Sequence, residues 1–217
     1  MIDRDTNLFE YEDKVVKILL RKLLRIFRAL TRTIQSNTIN GFDELNVINA
    51  VNKMYDEVLE LTVDFLKAVA LRAYRRARRK KKDDGFLVDL WLSEYLAEYN
   101  PVTEYLFYHE ADRKRARLIE AIMSILTASR PTTTVSKVVD QGLKQWVRQV
   151  EQFGDCVVLA ATEQAYEDNG TERVMWVTQK DDRVCSLCRP LDGKIFLVTE
   201  VPPPQHYNCR CFTLEVE

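Results

Sequence analysis

The sequence predicts an α+β, predominantly α-helical protein, with a long-helix body followed by a small C-terminal β module. Three observations carry that prediction. Apolar residues recur at spacings of three and four over the first three quarters of the chain. After Gly170 the texture changes to short runs rich in β-branched and aromatic residues, and a cluster of cysteines with one histidine lies inside that last part. The division that follows is 1–130, a helical body; 131–170, a long helix leading onward; and 171–217, the β-rich Cys/His module.

From Leu8 to Ile34, the residues Val15, Ile18, Leu19, Leu23, Ile26, Phe27 and Leu30 keep the period of an amphipathic helix, and Asn40-Gly41 breaks it. A second periodic segment starts near Asp43 and runs through Val47, Val51, Met54, Val58, Leu61, Phe65 and Leu66 towards Asp83-Asp84-Gly85. The two form a helical pair. Phe86 to Tyr99 predicts a shorter helix that ends before Asn100-Pro101, because the residue preceding proline is pushed out of helical angles. Thr103 to Leu126 predicts another, closed by Arg130-Pro131. Thr132 or Thr133 is then the expected N-cap of a long helix through Val139, Leu143, Trp146 and Val150, with Gly154 a point where it could kink. Asn169-Gly170 should stop that helix, since glycine accepts the left-handed cap without strain.

Beyond it, "RVMWVTQ", "KIFLVTE" and "RCFTLEVE" read as strands separated by turns at Asp192-Gly193 and Pro202-Pro203-Pro204.

The chain has 217 residues, 46% hydrophobic and 30% charged, with a formal net charge of −1, so bulk charge singles out no partner. The N-terminus "MIDRDTNLFEYEDK" lacks the apolar stretch of a signal peptide, and no apolar run is long enough for a membrane span. No membrane partner is expected. Synthesis in a reducing cytosol fits the cysteine usage, because the count of five is odd and four of them crowd into 27 residues.

Those four and a histidine are spaced Cys185-x2-Cys188, seventeen residues, then His206-x2-Cys209-x-Cys211. Two residues between ligands let one tight turn aim both side chains at a single tetrahedral ion, as in structural zinc sites. A module this small has few apolar side chains, so a structural Zn2+ would supply missing stability and make it a zinc-stabilised β module. Five candidates compete for four positions: Cys185, Cys188, His206 and Cys209 form the first choice, with Cys211 replacing one of them or lying beside the site. Reduced thiols with a surface histidine are the plain alternative. A redox pair would also use C-x-x-C, but that motif should open a helix, whereas Arg189-Pro190-Leu191-Asp192-Gly193 reads as a turn into a strand.

"AATEQAYEDNG" (160–170), "WVTQKDDRVCSLCRPLDGKIF" (176–196) and "PPPQHYNCRC" (202–211) together resemble the phage head morphogenesis family typified by the protein F of phage Mu. Thr162, Glu163, Asn169, Gly170, Trp176, Asp182, Cys185, Cys188, Asp192, Gly193, Pro204, His206, Cys209, Arg210 and Cys211 fit its pattern, with departures at Gln205 and Tyr207. The resemblance covers about the last 60 residues. It implies a minor protein of the virion head, present in few copies near the portal, that acts in capsid assembly or in packaging and delivery of the genome. Portal, scaffold and major coat proteins are the partners implied. The location implied is the bacterial host cytoplasm during assembly and the head or neck of the mature particle.

"RAYRRARRKKK" (72–82) holds eight basic residues in eleven: Arg72, Arg75, Arg76, Arg78, Arg79, Lys80, Lys81 and Lys82. These could bind the phosphates of packaged double-stranded DNA without sequence preference. A solvated helix end whose charge suits the helix dipole is the plainer reading. Glu163 and Asp182 could be paired carboxylates, but no nucleophile, phosphate loop or open metal site accompanies them, so no catalytic residue is assigned and no enzyme is expected. His109 stands alone on a predicted helix, and Cys156 lies in an apolar stretch as a buried thiol. The tyrosines around Asn100-Pro101 form either a partner surface or a packed helix corner. The rival functional class is a zinc-knuckle nucleic-acid-binding protein or small nuclease, which would need a second poised histidine or carboxylate set.

Overall fold

A computed structural model describes residues 8–39, 43–78, 86–98, 106–128, 133–178, 186–203 and 209–216. These form five α-helices, α1 (Leu8–Ile39), α2 (Glu44–Ala77), α3 (Val88–Ala97), α4 (Phe107–Thr127) and α5 (Val135–Asn169). Three short strands follow, β1 (Arg173–Val177), β2 (Ile195–Leu197) and β3 (Phe212–Glu215). The expected architecture is therefore observed: a mostly helical chain ending in a small antiparallel sheet. No helix among the described residues is long and apolar enough to cross a membrane.

Local signals set most element ends. Asp43 caps α2, its carboxylate accepting the backbone N–H groups of Leu45 at 2.9 Å and Asn46 at 3.4 Å. At α5 the cap is Thr134, which accepts the Lys137 N–H at 3.3 Å, and neither Thr132 nor Thr133. Adjacent threonines have the same capping chemistry, and only the backbone path decides which one turns its oxygen inward. The helix passes through Gly154 without a break. It ends as expected at Gly170, with φ +74°. There the Gly170 N–H donates to the Glu167 carbonyl at 2.8 Å and the Thr171 N–H to the Tyr166 carbonyl at 2.9 Å, the two bonds of a Schellman cap.

The chain condenses into two compact units built from separate stretches: 15–65 with 105–150, and 1–14 with 66–104 and 151–217. In the first, Leu23, Phe27, Ile34, Val51, Val58, Ile122, Val139 and Trp146 are buried. The Trp146 ring meets Tyr55 edge-on with centroids 5.8 Å apart, and its Nε1 donates to Thr62 Oγ1 at 3.1 Å. A Cβ at Gly142 would stand 3.5 Å from Leu118 and 3.6 Å from Phe27, ordinary packing contact, so the approach of α5 does not itself demand glycine there. Glu110 is buried but held by Arg113 at 2.6 Å and Lys114 at 3.1 Å. Burial raises its pKa, and those two cations outweigh burial and keep it below the usual carboxylate range.

The second unit holds the module. Here the end of α2 is tied to the end of α5: Tyr74 donates its hydroxyl proton to Asp168, Arg78 donates to Asn169 Oδ1 at 2.9 Å, and the Asn169 amide donates to the Ala77 carbonyl at 3.0 Å. The sheet order is β2-β1-β3, antiparallel throughout, with Val174 opposite Phe196 and Trp176 opposite Thr213. Strand alternation sends Val174 and Trp176 into the interior and leaves Arg173 exposed.

Candidate metal centre

The module is organised around sulfur. Cys188 ends the turn 186–188 and begins a 3-10 turn, Arg189–Leu191, that leads to the Asp192-Gly193 turn and into β2. That is the turn-to-strand path expected of this motif. Gly193 sits at φ +78°, and the Asp192 carboxylate accepts the Thr178 N–H at 2.8 Å, which clamps the turn to β1. Cys209 and Cys211 lie just ahead of β3, in an approach to the strand where alternate residues share a face.

Those paths bring three thiols together. Cys188, Cys209 and Cys211 are 1%, 0% and 6% exposed, and their sulfurs all lie within 4.8 Å of one another. Cys188 and Cys209 stand 3.6 Å apart, sulfur to sulfur, and no disulfide joins them. A tetrahedral ion with Zn–S bonds of about 2.3 Å spaces its sulfurs roughly 3.8 Å apart, so the observed separation fits a shared metal. Trp176 packs directly in this cluster, with Leu191, Phe196 and Val201 around it.

The neighbouring Cys209 thiol first, and burial second, push the Cys211 thiol far above the usual range. Three thiolates cannot share a buried site unaided. A divalent cation reverses that logic, because a coordinating thiol is deprotonated outright.

Of the other ligand candidates, Cys185 and His206 lie outside the described residues, as do Asp182 and Pro204. In the basic run, Arg72 and Arg75 are exposed, Arg76 and Arg78 are half-buried, and Arg79, Lys80, Lys81 and Lys82 lie outside the described residues. Arg72 stands over the Tyr11 ring at 5.7 Å, and burial lowers the pKa of Arg76. Glu163 is on α5, where burial, and then the charge of Glu167, raise its pKa to about 8. Cys156 is buried as expected, and His109 is an exposed residue of α4. Around the proline break, Phe107 is buried and Tyr108 is 45% exposed, while Tyr99 and Tyr105 lie outside the described residues.

Two residues important to the module carried no assigned role in the sequence. Trp176 belongs to the sulfur cluster, which the alternation of β1 could have indicated. Tyr166 holds the free edge of β3 from α5, and no local pattern signals that.

Long helices followed by a small β module with a buried thiol trio define a protein whose C-terminal part gathers a cluster that could hold a metal ion. Residues 113–214 match the family model of the Phage Mu protein F like protein. The resemblance read from the sequence is borne out there, and the match reaches further upstream than the motifs did, into α4. Phage head morphogenesis is the role that family supports. No curated protein and no solved structure matches the chain.

Proposed function

We propose that this chain is a minor protein of the phage head that acts in head assembly near the portal, as a structural component and not as an enzyme. The observation that carries this reading is the buried Cys188, Cys209 and Cys211 trio inside the span that matches the Mu F-like family. The ion would be Zn2+, completed by Cys185 or His206. With four protein ligands such a site is closed and offers no position for a substrate water, which fits a structural role. The metal would then hold the strands of the module in place.

The helical remainder would contact portal, scaffold or coat subunits, in the host cytoplasm during assembly and in the head or neck afterwards. Exposed Arg72 and Arg75 support a further contact with DNA phosphates during packaging or delivery.

Quantitative mass spectrometry of purified particles tests the reading, counting this chain against portal and major coat protein. A reproducible low copy number per head is expected. Absence from mature heads and precursors alike would overturn it and favour the zinc-knuckle nucleic-acid reading.

A further inference from the structure

Trp176 is 1% exposed and shares one cluster with Cys188, Cys209 and Cys211, yet its indole Nε1 has no hydrogen-bond partner among the described residues. An indole N–H can only donate, and buried donors in folded proteins are almost always paired. Burial leaves the ring little freedom to turn and seek one elsewhere, and the main chain that carries it is pinned. Trp176 donates its N–H to the Lys194 carbonyl at 2.8 Å and accepts the Gly193 N–H at 2.8 Å, and the Asp192 clamp on Thr178 fixes the next turn of chain. The ring shares its buried cluster with three sulfurs, the other neighbours there being the apolar Leu191, Phe196 and Val201. A neutral thiol is a poor acceptor, whereas a metal-bound thiolate carries charge and accepts strongly.

We propose that Trp176 is a positioning residue of the metal centre, its indole N–H donating to a metal-bound thiolate of the Cys188, Cys209 and Cys211 set. This rests on the metal reading above. Metal binding then does two things at once: it deprotonates the thiols and gives the buried indole the acceptor it otherwise lacks. The bond draws charge from the sulfur, orients it, and makes the bound thiolate less reactive towards electrophiles. Partners of this kind commonly change metal affinity by about 10- to 100-fold.

Cobalt(II) is the probe, because thiolate-to-cobalt charge transfer reports on the sulfur itself. Three full-length proteins are titrated under reducing conditions and then competed with Zn2+. They are the wild type, Trp176→Phe, and a protein carrying benzothienylalanine at position 176, which keeps the ring shape and replaces the N–H with sulfur. Both altered proteins should bind about tenfold more weakly, with the charge-transfer band moved to longer wavelength. Wild-type affinity and band position in the benzothienylalanine protein would overturn the proposal. A wild type without any cobalt–thiolate absorption would instead remove the metal reading, and this inference with it.

A second measurement needs no substitution in the protein measured. In wild-type protein loaded with spin-active cadmium, the indole proton of Trp176 should show a through-bond correlation to the metal. Its absence in a loaded, folded sample would also overturn the proposal.

Discussion

The hydroxyl of Tyr166, on α5, donates to the backbone carbonyl of Thr213 at 3.1 Å, and the hydroxyl oxygen in turn accepts the Glu215 backbone N–H. Thr213 and Glu215 are the β3 residues whose backbone groups point away from β1, since the Val216 N–H pairs with Arg173 and bonding residues alternate along an antiparallel pair. One phenol thus takes the place that a fourth strand would occupy. Burial first, and then the Glu215 carboxylate, push the Tyr166 hydroxyl up to about 12, so it stays a donor at any physiological pH.

Tyr166→Phe should therefore destabilise the protein by about 1–2 kcal/mol and leave a strand edge open to pairing with other chains. Urea denaturation and light scattering measure the two effects. An unchanged midpoint would mean that water replaces the hydroxyl at no cost.

Thr62 Oγ1 accepts from Trp146 Nε1 at 3.1 Å and donates to the Val58 carbonyl at 2.7 Å, with both side chains fully buried. Thr62→Val keeps the shape and strands the indole donor, so a loss of about 1–3 kcal/mol is expected. The Thr62→Val, Trp146→Phe double variant should recover part of it, because no orphaned donor remains. Thermal melts of the three variants decide.

Glu163 has its pKa raised to about 8 in the folded protein, by burial first and the Glu167 charge second. Below about 4.5 both folded and unfolded chains carry the proton, and this residue gives no pH dependence. Between about 4.5 and 8 the folded state retains a proton that the unfolded state has released, so stability falls as pH rises, by at most about 1.4 kcal/mol per pH unit. Above that window the loss is complete. Glu163→Gln should flatten this slope and be the more stable protein at pH 8. Denaturation series at several pH values would show parallel curves if the side chain ionises normally.

Gly170 adopts φ +74° and a Cβ there would meet nothing within 4 Å. The cost of Gly170→Ala is thus backbone strain alone, about 1–2 kcal/mol, and Gly170→Asn should cost less. Equal destabilisation by the two would point to a cause other than the left-handed cap.

Purified protein should contain close to one equivalent of zinc per chain. Cys188→Ser and Cys209→Ser should each lose it and melt the module before the helices. Chelation of wild-type protein should reproduce that early transition in near-ultraviolet circular dichroism. Metal-free protein with an unchanged melt would show that the thiols pack as ordinary core.

How much of this was legible in sequence follows the reach of each interaction. The helical period from Val15 to Leu30, the stop at Gly170 and the strand at Val174–Trp176 depend on neighbours within a few positions, and they were read correctly. The spacing of Cys185, Cys188, His206, Cys209 and Cys211 pointed to one site because close-spaced ligands need only a turn and an extended step to converge; of these the described residues bring together Cys188, Cys209 and Cys211, so Cys211, placed second in the sequence reading, belongs to the cluster. The cap at Thr134 was missed among equivalent threonines, since the backbone path, and not residue type, selected it.

By itself, then, the sequence determined the elements, their order and the chemistry gathered in the last part of the chain. Only the tertiary structure decided that Trp146 would meet Thr62 across 84 positions, that Tyr166 would close β3 across 47, and that Trp176 would share a buried cluster with three thiols while its indole N–H finds no partner among the described residues. Local conformational preference is written in adjacent residues, whereas the pairing of distant side chains is chosen by whichever packing buries them together with their hydrogen bonds satisfied.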